Sequence, residues 1–179
     1  MKFNKRLAKL AHGVKLIAMD IDGVLTGGEM IIMNSGEEVK IWNVKDRLGF
    51  HLVYRSGAGI QFAWITGRST KQAAAQAKEI GINFLYQGCM RKKEAMDEIM
   101  SKTGIKFDEI LYIGDDLVDI PVLKMVGIGI CPADAPADVK KAADLVSGLP
   151  GGKGVLREAV ELVLKEQGLW KKATKYYLS

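Results

Sequence analysis

IAMDIDGVLTGG, residues 17–28, is an apolar run that ends in two aspartates, one residue apart, followed by a glycine. The run at 17–19 indicates the end of a buried strand, and Asp20 and Asp22 stand where the chain leaves the sheet. Burying two like charges so close together is costly unless a cation, a proton on one carboxyl or helix dipoles compensate. A turn without a chemical role is the alternative, because Asp and Gly favour loops for local reasons. The rest of the chain decides between these interpretations.

Apolar strand-like runs alternate with segments of helical period along most of the chain. Strands are predicted at 15–20, 60–66, 82–87, 109–116, 127–132 and 143–147, and helices at 46–57, 69–81, 91–104, 119–127 and 135–143. The segment 151–168 is predicted to be a glycine loop followed by an amphipathic helix. Ser69 is expected to cap the helix that begins there. The runs EMIIM and EEVKIW, separated by NSG, predict a β-hairpin. This alternation is typical of a Rossmann-like α/β/α sandwich with a parallel sheet.

Polar groups follow the predicted strands at four successive strand ends. In chain order they are Asp20 and Asp22, then Thr66, then Lys92 and Lys93, and last Asp115 and Asp116. Ligands of parallel α/β folds bind at the carboxyl ends of the strands, which share one edge of the sheet. We therefore expect these side chains to meet in one site.

The groups at this edge suit phosphoryl transfer. Mg²⁺ prefers oxygen ligands, and Asp20, Asp115 and a backbone carbonyl near Asp22 supply them. Thr66 is placed to donate a hydrogen bond to a phosphoryl oxygen, and a lysine to neutralise another. One of the two paired aspartates attacks phosphorus, and the other protonates the leaving oxygen. The second role favours a raised pKa, whereas the attacking carboxylate should stay ionised.

The composition limits the classes of partner. The chain of 179 residues fits one domain with a sizeable core, which we place at 1–179. A net charge of +5, spread along the chain, favours a small anionic substrate over nucleic acid. No apolar stretch approaches the ~20 residues that span a bilayer, so no membrane partner is expected. Cys89 and Cys131 lack metal-ligand spacing and are expected to be buried, reduced thiols of a cytoplasmic protein.

Two segments outside the predicted core suggest an assembly. A hairpin flap at about 27–42 is too apolar for an isolated hairpin in water, because it carries Met30, Ile31, Ile32, Met33, Ile41 and Trp42. A tail at about 169–179 carries Trp170, Tyr176 and Tyr177 beyond the last predicted helix. We expect a homotetramer in which neighbouring subunits complete each active site, since phosphoryl transfer benefits from excluding water. The alternative is that flap and tail fold back on their own subunit.

The four strand-end motifs resemble those of haloacid-dehalogenase-superfamily phosphatases. They read DIDGVLT at 20–26, TGR at 66–68, Lys92, and GDD at 114–116. The hairpin and the segments at 43–50, 85–88, 112–123 and 151–168 further resemble the 3-deoxy-D-manno-octulosonate 8-phosphate phosphatase family. The resemblance implies a capless, cytoplasmic, Mg²⁺-dependent tetramer. It also implies release of phosphate from a sugar-acid phosphate on the route to lipopolysaccharide.

The resemblance also implies a role for each site residue. Asp20 corresponds to the nucleophile and a metal ligand, Asp22 to the acid/base and a backbone ligand, and Asp115 to the other metal ligand. Asp116 and Asp119 would support the metal. Thr66 and Lys92 would hold the phosphate, with Lys93 as the alternative lysine. The positions that correspond to substrate-binding residues are Asp22, Asn43, Val44, Lys45, Asp46, Arg47, His51, Arg68, Gln76 and Lys92.

This chain departs from the family pattern in the substrate-binding segment. The family commonly has Asn-Val-Arg-Asp-Gly where this chain has NVKDR at 43–47, and His51 and Gln76 stand where arginines are expected. Lysine does not reproduce the bidentate fork that arginine offers to a carboxylate. The phosphate chemistry is untouched, but a related nonulosonate 9-phosphate stays open as the substrate.

Two alternatives to a phosphatase remain from the sequence. A signalling receiver domain also places Asp, Thr and Lys at strand ends, but its phosphorylated Asp lies on a middle strand. A non-catalytic partner domain of a sugar nucleotidyltransferase is the second alternative. Because every catalytic position is filled here, the sequence favours the active enzyme.

Overall fold

The computed structural model of the protein describes residues 1–178. The strands are β1 (Leu16–Met19), β2 (Ile31–Ile32), β3 (Glu38–Val39), β4 (Gln61–Ile65), β5 (Phe84–Tyr86), β6 (Ile110–Ile113), β7 (Ile128–Cys131) and β8 (Leu145–Val146). The helices are α1 (Lys5–Ala11), α2 (Val44–Ser56), α3 (Lys71–Ile80), α4 (Lys92–Thr103), α5 (Ile120–Leu123), α6 (Ala137–Ala142), α7 (Val155–Glu166) and α8 (Trp170–Leu178). The predicted order of elements from β1 to α7 is confirmed.

A parallel sheet forms the centre of the molecule, with six strands among residues 1–178 in the order β5-β4-β1-β6-β7-β8. β1 lies between β4 and β6, with Ala18 opposite both Ala63 and Tyr112. The strand order reverses beside β1, because β4 and β5 lie on one side and β6 to β8 on the other. The predicted α/β/α class is therefore correct. Ligands in such folds bind at the carboxyl ends of the strands next to this reversal, which here is the end of β1.

The side chains of β1 alternate between two apolar layers. Ile17 and Met19 belong to the layer that contains Phe50 and Trp64, together with residues of α1, α2, α7 and α8. Leu16 and Ala18 pack on the opposite face against α4, α5 and α6. A strand buried on both faces reads as a continuous apolar run, as β1 does. Each large side chain buried in this way contributes about 1.5–3 kcal/mol.

Two helices begin at residues other than those predicted. α2 begins at Val44, two residues early, because the side chain of Asn43 accepts an amide hydrogen bond in its first turn. α3 begins at Lys71 and is capped by the hydroxyl oxygen of Thr70. The prediction that Ser69 caps this helix is therefore wrong, since the neighbouring threonine takes the cap position.

Within the described residues the tail is a helix, α8, that packs on its own subunit, so the prediction of an uncovered tail is wrong for Trp170. Tyr176 and Tyr177 stay exposed, as predicted, and Ser179 lies outside the described residues. Ala173 of α8 is buried, and Trp170 packs against the core layer that contains α2. The guanidinium carbon of Arg55 lies 3.8 Å from the centroid of the Tyr176 ring, a cation–π contact between α2 and α8. No helix within the described residues, α8 included, is both long and apolar enough to cross a membrane.

The flap is a two-stranded hairpin with both faces defined by its register. Ile31 pairs with Val39 and Ile32 pairs with Glu38, so each pair shares one face. The apolar side chains stay exposed: Met30, Ile31, Ile32, Met33, Val39 and Ile41 are all at least 39% accessible. Trp42, by contrast, stacks on Trp64 of the core at 5.5 Å between ring centroids. The chain itself therefore partly covers Trp42 but leaves the other apolar side chains of the flap exposed.

The two thiols differ in their burial. Cys131, at the end of β7, is buried as expected, and both cysteines are free. Cys89 is only half-buried, so the expectation of two buried thiols is wrong for this residue. Its position in the loop between β5 and α4 accounts for the difference, because loops run along the surface.

Candidate active site

The predicted strand-end groups come together at the carboxyl edge of the sheet. Asp20 follows β1, and its amide donates to the carbonyl of Ile113 at the end of β6. Thr66 follows β4, and its amide donates to the carbonyl of Tyr86 at the end of β5. Backbone hydrogen bonds between neighbouring strands thus fix the first residue of each functional loop.

Three buried or half-buried carboxylates form the centre of the site. Asp20, Asp115 and Asp119 each place an oxygen within 4.8 Å of the other two. Both oxygens of Asp119 are occupied: the hydroxyl of Tyr112 and the amides of Asp115 and Asp116 donate to them. Asp119 therefore holds the loop in place, whereas the other two carboxylates keep oxygens that face the site.

Lys92 supplies the positive charge of the cluster. Its Nζ lies 2.9 Å from Asp20 Oδ1 and 2.7 Å from Asp119 Oδ1, and the residue is only 2% exposed. Burial alone would lower the pKa of this ammonium, but the charges of the two carboxylates raise it above its ordinary value. Lys93 points to solvent and pairs with Asp97 at 2.6 Å. The structure therefore places Lys92, and not Lys93, beside the carboxylates.

Burial and mutual repulsion act on the carboxylates of the cluster. Burial raises the pKa of Asp20, while Lys92 opposes the increase. Burial also raises the pKa of Asp115, and the negative charges of Asp20 and Asp119 raise it further. Within the protein alone, burial thus opposes the ionised form of the attacking carboxylate, and Lys92 favours it. A bound divalent cation supplies the charge that favours both ionised forms.

The donor set fits a hard cation such as Mg²⁺. Oδ1 of Asp115 is buried and accepts no hydrogen bond from residues 1–178. The loop after β1 approaches the same carboxylate so closely that a Cβ on Gly23 would lie 2.0 Å from Asp115 Oδ2. Gly23 has a φ of 95°, which also favours glycine. A free buried carboxylate oxygen beside Asp20 and the backbone of this loop matches the oxygen ligands that Mg²⁺ prefers.

Asp116 lies outside this cluster. Its Oδ1 accepts from the amide of Leu117 at 2.7 Å, so its carboxylate caps the short turn that leads to α5. The residue is exposed. Any support that Asp116 gives to a metal therefore acts through this turn, which also carries Asp119.

The flap adds two charged residues that the sequence analysis missed. Lys40 forms ion pairs with Asp22 and, at 3.0 Å, with Glu38. Glu38 in turn pairs with Arg68, which follows Thr66. The strand EEVKIW alternates charged and apolar residues, a pattern that predicts one polar face. That alternation was the available signal, but it does not tell which loop the polar face contacts.

The other predicted substrate-binding residues lie around a separate cavity of about 140 Å³. Its lining includes Trp42, Asn43, Val44, Asp46, Arg47 and Gln76. None of the catalytic carboxylates lines it. Arg47 and Gln76 both contact Glu79 on α3, and Lys45 and His51 are exposed on α2. The residues that line this cavity therefore form a group separate from the carboxylate cluster.

Asp46 is committed to the fold. It is buried, and its two oxygens accept from the amides of Gly154 and Arg157 at 3.1 and 3.0 Å. Burial raises its pKa to about 6, although these amide bonds oppose the increase. Asn43 plays a similar part, since its side-chain nitrogen donates to the carbonyl of Gly152 at 2.7 Å. Both residues therefore join the start of α2 to the glycine loop before α7.

The fold and the carboxylate cluster are those of haloacid dehalogenase-like hydrolases, and residues 84–158 match the model of that family. The chain is 38% identical over 158 residues to "3-deoxy-D-manno-octulosonate 8-phosphate phosphatase KdsC" of Escherichia coli, covering 88% of this chain and 83% of that protein. It therefore belongs to the 3-deoxy-D-manno-octulosonate 8-phosphate phosphatase family, a group of phosphoric monoester hydrolases. The resemblance stated from the motifs is confirmed.

Solved structures agree with this assignment. The phosphatase of the same name from Moraxella catarrhalis, in complex with magnesium ion, phosphate ion and KDO, superposes with a TM-score of 0.93. It is 34% identical, over 98% of this chain and 99% of that one. The cobalt-bound enzyme of Haemophilus influenzae gives a TM-score of 0.87 at 33% identity, over 95% and 99% of the two chains. The comparisons favour the phosphatase over a receiver domain.

Replacing Asp115 by Asn should stabilise the metal-free protein and remove its response to Mg²⁺. The folded-state pKa of Asp115 is raised, so ionisation costs stability as pH rises from about 4, the ordinary pKa of Asp, through the raised value. The variant lacks this charge, and its melting temperature without metal should exceed that of the wild type at pH 8 but not at pH 4. Thermal melts with and without Mg²⁺ test this, with Asp116→Asn as the control. A wild-type-like Mg²⁺ response in Asp115→Asn would refute the assignment of Asp115 as a ligand.

Proposed function

We propose that the protein hydrolyses 3-deoxy-D-manno-octulosonate 8-phosphate to the free sugar acid and phosphate, with Mg²⁺ as cofactor. One observation carries this proposal: Asp20, Lys92 and Asp115 meet at the end of β1, and Asp22 follows Asp20 on the same loop. The names of the relatives support the choice of substrate. We assign the product to lipopolysaccharide precursor synthesis on the same basis.

The proposed chemistry assigns one task to each side chain. Asp20 attacks phosphorus, the bond to the sugar oxygen breaks, and an aspartyl-phosphate forms. Asp22 gives a proton to the leaving sugar oxygen and later takes one from the water that hydrolyses the intermediate. Thr66 donates a hydrogen bond to a phosphoryl oxygen, and Lys92 neutralises charge on it. When bound, Mg²⁺ offsets the repulsion between the attacking carboxylate and the anionic substrate.

Recognition of the sugar acid is proposed for the cations and amides of the family's substrate-binding segment. The segment comprises Asn43, Val44, Lys45, Asp46, Arg47, His51, Arg68 and Gln76, with Asp22 and Lys92 at the phosphate end. The proposed contacts with the sugar acid come from Lys45, Arg47, His51, Arg68 and Gln76, while Asn43 and Asp46 hold the start of α2 against the glycine loop. Arg68 is the member nearest the flap network, through Glu38. The substitutions at 47, 51 and 76 favour a related nonulosonate 9-phosphate as the second candidate substrate.

A Mg²⁺-dependent screen of sugar phosphates and sugar-acid phosphates tests the proposed function. We expect the octulosonate 8-phosphate to give the highest kcat/KM, because its carboxylate has cationic partners at the site. A higher value for the nonulosonate 9-phosphate would shift the assignment to that substrate. Neutral hexose phosphates ahead of all sugar acids would overturn it. Absence of any hydrolysis would favour the non-catalytic partner domain of a sugar nucleotidyltransferase.

We further propose that residues 1–179 act as one phosphatase domain in a cytoplasmic homotetramer. The flap face that carries Ile31, Val39 and Ile41 is apolar and exposed, as a subunit interface requires. Several predicted substrate-binding residues of α2 line a cavity whose lining includes none of the catalytic carboxylates. A neighbouring subunit is therefore the proposed source of the contacts that complete each site. Free thiols and a phosphorylated substrate support the cytoplasm as the location.

Charged substitutions on this flap face should dissociate the tetramer. In a variant with Ile31→Asp and Val39→Asp, burial of two carboxylates between subunits would cost more than the apolar contact gives. Sedimentation equilibrium at micromolar concentration should show a tetramer for the wild type and a smaller species with reduced kcat/KM for the variant. Val146→Asp, at an exposed apolar position on β8, is the matched control. A wild type that sediments as a fully active monomer would contradict the shared site.

A further inference from the structure

The flap reaches the catalytic loop through one lysine, Lys40, whose side chain is largely covered. Glu38, on β3, and Lys40, two residues further along the flap, contact each other and point to the same side of it. The Lys40 side chain is only 5% exposed and lies between the carboxylates of Asp22 and Glu38. Fixing a lysine side chain in one conformation costs entropy, so the ion pairs with Asp22 and Glu38 are what hold Lys40 in place.

The contact with Lys40 distinguishes the two oxygens of Asp22. Lys40 donates to Oδ1 of Asp22. Oδ2 of the same carboxyl is buried and has no hydrogen-bond partner within residues 1–178. One oxygen is thus anchored, and the other is left for a group that enters the site. An acid that must meet the leaving oxygen gains from such anchoring, because a small misplacement costs rate.

The same network extends to the loop after β4. Glu38 accepts from Arg68, and the Nε of Arg68 is buried without a partner among the described residues. Asp22, Lys40, Glu38 and Arg68 therefore form a continuous series of ion pairs across the mouth of the site. The series joins the loops after β1 and β4 through the flap.

We propose that Lys40 is a positioning residue, which orients the Asp22 carboxyl toward the leaving oxygen and ties this orientation to the flap. The assignment rests on the proposed phosphatase function. Lys40 acts through Asp22 and does not itself exchange a proton in the reaction. Its effect should therefore appear only where the leaving group needs the acid.

The test compares Lys40→Met with the wild type on two esters. The octulosonate 8-phosphate has a poor alkyl leaving group, and p-nitrophenyl phosphate has a leaving group that needs little protonation. We expect kcat to fall about 10-fold or more on the first and less than about 3-fold on the second. Lys40→Arg keeps the charge and should recover most of the loss. Lys102→Met, at an exposed lysine on α4, is the matched control.

A double-mutant cycle separates this role from a structural one. In the Asp22→Asn background, Lys40→Met should add less than about 2-fold, because the residue through which it acts is already disabled. Equal losses on both esters, or losses that add fully to those of Asp22→Asn, would overturn the proposal. If Lys40→Met does not fold, Lys40→Gln carries the same comparison, with Lys40→Arg again as the variant that keeps the charge. A wild type inactive on both esters would refute the proposed function first, and this assignment with it.

Discussion

Asp20→Asn is expected to lower phosphatase turnover by about 10³-fold or more, the range found when a nucleophile is removed. The amide retains the shape of the side chain, but it does not attack phosphorus, and it offers only a neutral oxygen to a cation. Lys92 then loses one of its two carboxylate partners, at 2.9 Å, and keeps the other. The variant should therefore fold, and its loss of activity should appear in kcat.

Rapid acid quench with labelled substrate checks the covalent step directly. The wild type should retain label on the protein in the first turnover, and Asp20→Asn should retain none. Asp97→Asn is a suitable control, because Asp97 is an exposed partner of Lys93 on α4. Near-normal turnover of Asp20→Asn, or full wild-type activity in excess chelator, would refute the nucleophile assignment.

The sheet and the catalytic edge were predictable because their signals are local and repeated. β1, β4 and β6 are apolar runs followed at once by a polar residue or glycine, and the parallel sheet aligns their ends. Which lysine belongs to the cluster was harder to predict. Lys92 and Lys93 are adjacent and chemically identical in the sequence, and only the direction of each on α4 separates them.

The features that were not predicted from the sequence depend on tertiary contacts. Asp46 was predicted to bind substrate, and in the structure its carboxyl accepts hydrogen bonds from the backbone amides of Gly154 and Arg157, more than a hundred residues away. The contact of Lys40 with Asp22 depends on how the flap folds over the loop. α8 was missed because its burial is one-sided and rests on α2, with Ala173 as its only buried residue among those described. Each of these depends on packing between distant segments, which spacing along the chain does not encode.

Lys92→Met is expected to produce the largest loss of stability among single substitutions in the site. The methionine fills a similar volume but leaves the carboxylates of Asp20 and Asp119 buried without their counter-charge. Removing one partner of a buried ion pair costs about 3–5 kcal/mol. For a chain of this size, each kcal/mol corresponds to about 2–4 °C in melting temperature. Lys93→Met, one residue along, removes an exposed charge and should change the melting temperature little.

The pH dependence identifies the cause of that loss. Lys92 lowers the pKa of Asp20 against the effect of burial, so its removal raises this pKa further above the unfolded value. An acid with a raised folded-state pKa binds its proton more tightly when folded, so stability falls as pH rises toward that pKa. The stability deficit of Lys92→Met relative to the wild type should therefore be smallest near pH 4 and largest near pH 8.

Added Mg²⁺ should recover part of this stability deficit at pH 8, since a cation restores counter-charge to the carboxylates. Thermal melts across this range measure the effect, and a deficit independent of both pH and Mg²⁺ would show that packing, rather than the ion pairs, accounts for the role of Lys92.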